Sequence, residues 1–276
     1  MSKFNNDTGY HVLDLALAEL NDSGVGSNWS ISSKRKSLRK FGRNENLSTG
    51  AIATVWQNGT DDEVYLSPAD GNLIDTISSS SVADVGQFIL IEGHYWVGTD
   101  LIFSIQRVVL NGQNKVTLTR PICRTSRAYE LATVAPTGDI SVYEDTAIVG
   151  GVPTDLAKRH IVIKGTLGQV QSYKAATSVS STDALIITSF SFGVNRSQAA
   201  AIDFTLEDRN AGGNLVFTPS YGRIGANSIG TTTFRANLDP PVKILPNHDV
   251  RVRAISSANN VAANATFSGY LATKVA

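Results

Sequence analysis

The sequence contains little of what most secreted domains and membrane proteins depend on. It has one cysteine in 276 residues, so no disulfide can form within the chain. Only 17% of its residues are charged, and 24 basic residues balance 24 acidic ones, which does not suit a protein that binds nucleic acid over its whole surface. No apolar run reaches the ~20 residues of a membrane-spanning helix, and no apolar signal segment follows Met1. We therefore expect synthesis in a cytoplasm and no membrane partner.

The motifs that hold phosphate groups or present a catalytic nucleophile are also missing. Neither GxxxxGK[ST], GxGxxG nor GxSxG occurs. His11, His94, His160 and His248 are scattered, without a second ligand at a metal-binding spacing. Arginines near Cys123 favour a thiolate, but no nearby histidine or asparagine completes a cysteine-enzyme signature, so we expect a structural thiol. The sequence predicts no enzymatic activity, no metal site and no cofactor.

The chain is rich in the residues that form strands and turns. Strands are predicted over residues 51–57, 63–66, 87–93, 101–110, 115–119, 139–145, 159–165, 184–195, 201–208, 214–219, 231–238, 249–256 and 265–272. Asn111-Gly112 predicts a hairpin turn, because both residues tolerate positive φ. The four serines at 78–81 predict a loop. The alternation over 202–206 and 250–253 predicts sheets with one buried and one solvated face.

The predicted fold class is mainly β, with a helix and a basic arm at the N-terminus. Residues 7–21 predict the helix, because apolar residues recur at helical spacing from Tyr10 to Leu20. Strands separated by turns, without intervening helices, are typical of antiparallel β-sandwiches or jelly rolls. We predict the helix and arm over 1–44, a first β domain over 45–151 and a second β-sandwich domain over 152–276. The glycines Gly150 and Gly151 mark the boundary between the two β domains.

One short basic segment departs from the low charge of the chain. This basic segment, residues 34–43, places six cations within ten positions. The remainder of the chain has 18 basic residues and 24 acidic ones. A solvated arm, a nucleic-acid contact, a membrane-surface helix and a protein-docking segment are the four interpretations. Nucleic-acid binding favours interleaved aromatics, and a membrane helix needs an apolar face, whereas docking needs only an acidic groove on a partner. The candidate docking residues are Trp29, Lys34, Arg35, Lys36, Arg39, Lys40, Phe41 and Arg43.

Several motifs along the chain are similar to those of one group of proteins. They are Phe41-Gly42-Arg43-Asn44 with Leu47 and Gly50, then Trp56, Ser78–Ser81 with Asp84, and Ile91-Glu92-Gly93. On these motifs the chain resembles structural proteins of tailed bacteriophages, which share an FGRN-x-x-L lead followed by a tryptophan-containing strand. The resemblance extends over most of residues 40–272. It implies a non-enzymatic component of the virion.

Three functional hypotheses follow from the residues and from the resemblance. The first is a capsid decoration, or cement, protein: a homotrimer that docks on the major capsid protein through its N-terminal region. The second is a tail, baseplate or fibre-base protein that uses the same arm on other tail proteins. The third is a glycan- or receptor-binding module with Tyr95, Trp96 and Tyr221 as candidate contacts. None of the three involves a membrane or sequence-specific recognition of nucleic acid.

Overall fold

The computed structural model describes residues 29–30, 36–57, 65–131, 134–196, 199–217, 220–224 and 230–274. In chain order the strands are β1 (Trp29–Ser30), β2 (Lys36–Leu47), β3 (Ile52–Thr54), β4 (Ile74–Ser79), β5 (Val85–Val97), β6 (Asp100–Asn111), β7 (Val116–Ile122), β8 (Arg124–Glu130), β9 (Ile140–Glu144), β10 (Ile148–Val149), β11 (Val152–Pro153), β12 (Arg159–Ile163), β13 (Ala176–Ser178), β14 (Asp183–Arg196), β15 (Ile202–Arg209), β16 (Leu215–Phe217), β17 (Ser220–Ile224), β18 (Gly230–Ile244), β19 (Asp249–Ser256) and β20 (Val261–Lys274). Two 3-10 helices span Leu156–Lys158 and Gly165–Leu167. The mainly β prediction is confirmed, and the predicted helix over 7–21 lies outside the described residues.

Four antiparallel sheets and one two-stranded hairpin contain these strands. The sheets β12-β9-β4-β7 and β6-β5-β8 share one apolar core, and we call this pair the first sandwich. The second sandwich combines β18, β14 and β20, with β1 and β2 on the far side of β20, and a sheet of β13, β19, β15, β16 and β17, in which β3 pairs with β19. Strands β10 and β11 form the separate hairpin.

Each sandwich buries the inward residues of its strands, because successive side chains of a strand point to opposite faces. In the first sandwich the fully buried Ile77 of β4 and Ile91 of β5 belong to one cluster. In the second, the rings of Phe192 and Phe204 stack at a centroid distance of 4.5 Å. Burial of such a side chain contributes about 1.5–3 kcal/mol relative to leaving it in water. These two clusters are the main apolar cores of the described part of the chain.

The described part of the chain begins in the second sandwich, crosses into the first and then returns. Strand β2 pairs with β20, from Lys36 opposite Leu271 to Leu47 opposite Val261. Residues after the second 3-10 helix lead back to β13. The two apolar cores therefore do not coincide with the predicted ranges 1–44, 45–151 and 152–276. Those ranges stay a prediction of how the chain divides into folding units. The sequence left open whether the basic arm is extended or partly helical; from Lys36 onward it is the extended strand β2.

The glycine pair at 150–151 is a turn of the first sandwich. Gly150 and Gly151 have positive φ and connect β10 to β11. A Cβ atom on Gly151 would overlap the carbonyl oxygen of Ser79, so the turn packs against β4. Strand β12 then pairs with β9, and Ile163 lies in the first core. The passage to the second core lies after β12 rather than at this turn.

Three local predictions differ from the structure. The serines at 78–81 are not only a loop: Ser78 and Ser79 end β4, and the Ser78 hydroxyl donates to the carbonyl oxygen of Gly151 at 2.7 Å. The turn at Asn111-Gly112 forms, but β6 and β7 enter different sheets. Residues 124–130 were not predicted as a strand and form β8. In each case a long-range polar contact, rather than apolar alternation, fixes the segment.

The alternation over 250–253 does not produce a solvated face. Val250 and Val252 lie in the second core, as expected, but Arg251 is also buried. Its guanidinium donates to Glu207 at 2.7 Å and lies 5.0 Å from the ring of Tyr65. The predicted solvated face is wrong here, because the polar side of β19 is covered and its charges are paired with those of β15.

Gly42, within the FGRN segment, stands where the backbone of β2 passes closest to its neighbours. A Cβ atom there would overlap the carbonyl oxygen of Val55 and the amide nitrogen of Ala175. That amide donates a hydrogen bond to that carbonyl oxygen at 3.0 Å. We expect Gly42→Ala to lower the free energy of unfolding by about 1–3 kcal/mol, the usual cost of overpacking. Chemical denaturation measures this. Gly212→Ala is the control, because its Cβ would meet only side-chain atoms; an equal loss in both variants would contradict the argument.

Candidate docking cleft

Strand β2 divides the basic segment between two faces. Arg39, Phe41 and Arg43 are exposed, whereas Lys40 and Asn44 point inward and are buried. The period of two along a strand produces this division. The ammonium group of Lys40 donates to the carbonyl oxygen of Ser126 on β8 at 3.1 Å. Lys40 therefore joins the two sandwiches, and its burial corrects its assignment as a docking contact.

The other candidate docking residues are placed only in part. The backbone of Trp29 pairs with Lys274 in β1, and Lys36 begins β2, but the side chains of both lie outside the description. Lys34 and Arg35 lie outside the described residues. The structure thus brings together only Arg39, Lys40 and Phe41 of the predicted set, with Arg43 further along the same exposed face.

A cleft of about 380 Å³ opens where β2 meets the first sandwich. Arg39, Lys40 and Phe41 form one wall, Ser126 and Arg127 of β8 form the second, and residues 171–174 form the third. Among the described residues that line this cleft, four are cationic and none is acidic. Such a lining creates a positive potential in a concave site, which attracts and orients anionic groups.

The exposed cation of β8 is held in a fixed position. Arg127 stacks over the ring of Tyr129 at 4.5 Å and donates to the side-chain oxygen of Gln171 at 2.5 Å. Opposite it, Phe41 and Tyr173 meet edge to face, with ring centroids 5.0 Å apart. A guanidinium held in this way loses little conformational entropy when it binds a carboxylate.

A buried lysine in the wall formed by residues 171–174 connects the crossing segment to β8 and β12. The ammonium group of Lys174 donates to the carbonyl oxygen of Thr125 at 2.8 Å and to its hydroxyl at 2.9 Å. It also lies 5.4 Å from the ring of Trp56. These contacts fix the crossing segment between the two sandwiches, so the cleft walls keep one relative position.

Sequence reasoning missed Arg127, Tyr173 and Lys174. Their separation from β2 is more than 80 residues along the chain, so nothing in the local pattern of 34–43 points to them. The outward positions of Arg127 and Tyr129, two residues apart in β8, are the one signal that could have been found. Even this signal requires knowing that residues 124–130 form a strand.

The reactive groups considered from the sequence occupy structural positions where they are described. Cys123 is buried, and burial raises the pKa of its thiol to about 12, which outweighs the nearby Arg124; the expectation of a structural thiol is confirmed. Burial, together with Lys40 and Arg124, lowers the pKa of His94 to about 3. His160 bonds to Glu144 at 2.9 Å. His248 bonds to Asp208 at 2.8 Å, and His11 lies outside the description.

The two residues considered for glycan contact whose side chains are described, Tyr95 and Trp96, do not form an exposed aromatic platform. Trp96 is buried, its indole nitrogen donates to the carbonyl oxygen of Leu66 at 3.1 Å, and Arg124 lies over its ring. Arg120 lies over the ring of Tyr95 at 4.5 Å. Tyr221 is in β17, and its side chain lies outside the description. Trp96 is a core residue and presents no ring face to a ligand.

The described residues contain neither a metal-binding cluster nor a membrane-spanning helix. In the ranges given above, no group of three or more histidine, cysteine, aspartate or glutamate residues is arranged to hold a metal ion. No helix in those ranges is long and apolar enough to cross a membrane.

Comparison with known proteins yields only weak structural likeness. No protein-family model matches the chain, and no curated protein matches its sequence. Structures of infectious bursal disease virus are similar at low scores. The Gx strain structure is 10% identical, covers 91% of this chain and 73% of its own, and has a TM-score of 0.26. The structure of T=1 particles derived from the virus is 11% identical, covers 88% of this chain and 70% of its own, and has a TM-score of 0.27. These TM-scores are too low to support an argument about this chain.

Proposed function

We propose that the chain is a non-enzymatic structural protein of a tailed-phage virion and that it decorates the capsid. The observation that supports this proposal is the cationic cleft, because part of the predicted docking segment forms one of its walls. Arg39 and Phe41 of that segment meet Arg127 across the cleft. The mainly β architecture and the resemblance of residues 40–272 to phage structural proteins agree with it. The protein would be made in the host cytoplasm and reside in the virion.

The partner proposed for the cleft is an acidic segment of the major capsid protein. Carboxylates suit the two exposed arginines, because a guanidinium binds a carboxylate through two parallel hydrogen bonds. Single-stranded nucleic acid favours free aromatic faces for base stacking. In the cleft, Phe41 and Tyr173 pack on each other and Arg127 lies over Tyr129. Lys34 and Arg35 are proposed to extend the same contact, and the homotrimer stays a prediction from the sequence.

Point variants test this proposal more cleanly than truncation does. Removing residues 1–44 would take most of β2 out of its sheet, so a loss of binding would not separate docking from folding. Arg39→Gln combined with Arg127→Gln removes two exposed charges and leaves the sheets intact. We expect occupancy on purified particles to fall at least tenfold, because hydrogen bonds to charged groups contribute about 1.5–3 kcal/mol each.

Arg223→Gln is the matched control. Arg223 of β17 is exposed, lies outside the cleft and the predicted docking set, and approaches Asp203 at 3.4 Å. We expect this variant to bind particles as the unaltered protein does. Normal occupancy of the double variant would contradict the proposal. Gold labelling on the tail rather than the head would favour the tail, baseplate or fibre-base hypothesis instead.

A further inference from the structure

The outer face of the sheet β6-β5-β8 is apolar although it faces away from the first core. Val109 of β6 lies opposite Phe88 of β5, and Leu131 follows β8 next to Phe88. Phe103 and Ile105 continue the row along β6. The exposed fractions are 47% for Phe103, 54% for Ile105 and 47% for Val109. Strands β5 and β6 thus present large apolar side chains on both of their faces, and Leu131 extends the outer row just past the end of β8.

The second sandwich does not share this property. On the outer face of its β14–β20 pair, Ser191 lies opposite Thr266, and Ser268 follows two residues later. An antiparallel sheet with one solvated face normally carries polar residues there, as this pair does. A sheet with apolar residues on both faces is typical of one that is covered on both sides.

The charges on the apolar face make it complementary to itself. Arg107 lies over the ring of Phe88 at 3.7 Å, and Glu92 lies opposite Ile105 and Arg127 in neighbouring strands. A face on which both signs of charge stand among apolar side chains can pair with an identical face, because each copy supplies charges of the sign that the other needs. A partner surface with charges of only one sign would repel either Glu92 or the two arginines.

The area agrees with contact between two copies of the chain. Five half-exposed apolar side chains, each of the order of 150–200 Å², expose on the order of 400 Å² together. A standard interface buries ~800 Å² on each partner, of which a little over half is apolar. The apolar side chains and the charges of Glu92, Arg107 and Arg127 on the same face match that composition.

We propose that a second copy of this chain covers the outer face of β6-β5-β8. The face would be buried sheet against sheet, with Ile105 and Val109 near its centre. This contact shares Arg127 with the cleft, but its apolar residues Ile105 and Val109 lie outside the cleft, so purified protein without any particle tests it. Failure of one proposal leaves the other standing.

The test is the mass of the purified full-length chain in solution, measured by sedimentation or light scattering over a wide range of concentration. We expect a mass above the 29.4 kDa of one chain. Ile105→Glu combined with Val109→Glu should weaken self-association at least tenfold, since it buries two unpaired carboxylates. Circular dichroism checks that the variant keeps its strands.

Leu215→Glu combined with Val216→Glu is the control. These residues of β16 are exposed to a similar degree, 53% and 52%, but belong to the second sandwich. We expect this pair to leave the mass unchanged. A mass of one chain at every concentration would overturn the proposal. So would an oligomer that persists in the Ile105 and Val109 variant, or one that dissociates equally in both variants.

Discussion

Replacing Arg124 with methionine is expected to lower the free energy of unfolding by about 3–5 kcal/mol, the cost of breaking a buried ion pair from one side. Arg124 of β8 and Asp249 of β19 are both almost completely buried and form two parallel hydrogen bonds, at 2.9 and 2.8 Å. Burial disfavours the charge of Arg124, but Asp249 raises the pKa of the guanidinium and keeps it ionised. Without Arg124, the hydroxyl of Ser178 would be the one described side-chain group still donating a hydrogen bond to the carboxylate of Asp249.

The effect should exceed that of an ordinary packing change, because this pair joins the two sandwiches. Arg124 also donates to the carbonyl oxygens of Leu66 and Cys123. Chemical denaturation of Arg124→Met measures the loss. Arg120→Met is the control, since Arg120 is exposed and stacks on Tyr95. The double variant Arg124→Met with Asp249→Leu should recover much of the loss, because it removes both charges. Equal stabilities of the Arg124 and Arg120 variants would contradict this account.

Acid should destabilise the protein through Glu207. Burial by itself would raise the pKa of this carboxyl, but Arg253 and Arg251 outweigh burial and hold the pKa at about 2, below its ordinary 4.5. The two guanidinium groups donate to its oxygens at 2.5 and 2.7 Å. A lowered pKa means that the folded state favours the ionised form. The resulting stability is present above pH 4.5 and is lost as the pH falls toward 2.

The expected contribution of Glu207 is about 3 kcal/mol at neutral pH, since one pKa unit corresponds to 1.36 kcal/mol. We expect Glu207→Gln to lower the free energy of unfolding by about that amount at pH 7. The variant should also lack the fall in stability that the unaltered protein shows between pH 4.5 and 2. Denaturation curves of both proteins across that range measure the difference. Glu45→Gln, at an exposed ion pair with Arg43, should change stability by less than about 1 kcal/mol. Parallel pH profiles for the unaltered protein and Glu207→Gln would refute the assignment.

The sequence by itself determined the strands whose period of two or apolar content is strong. Residues 249–256 form β19 with the predicted bounds, and 184–195 fall within β14. It also predicted a structural thiol at Cys123, and that thiol is buried. These features depend on local preference and on burial of one side of a strand, which neighbouring residues reveal.

Only the tertiary structure decided which charges are exposed and which residues meet. The basic segment has six cations in sequence, yet Lys40 is buried and Arg39 is exposed, because β2 pairs with β20 more than 200 residues later. Arg127 lines the same cleft as Arg39 only because the chain crosses between two sandwiches. Such pairings depend on register between distant segments, and a shift by one residue would exchange the two faces of β2. Local sequence contains no information about that register, so the cleft could not be predicted from it.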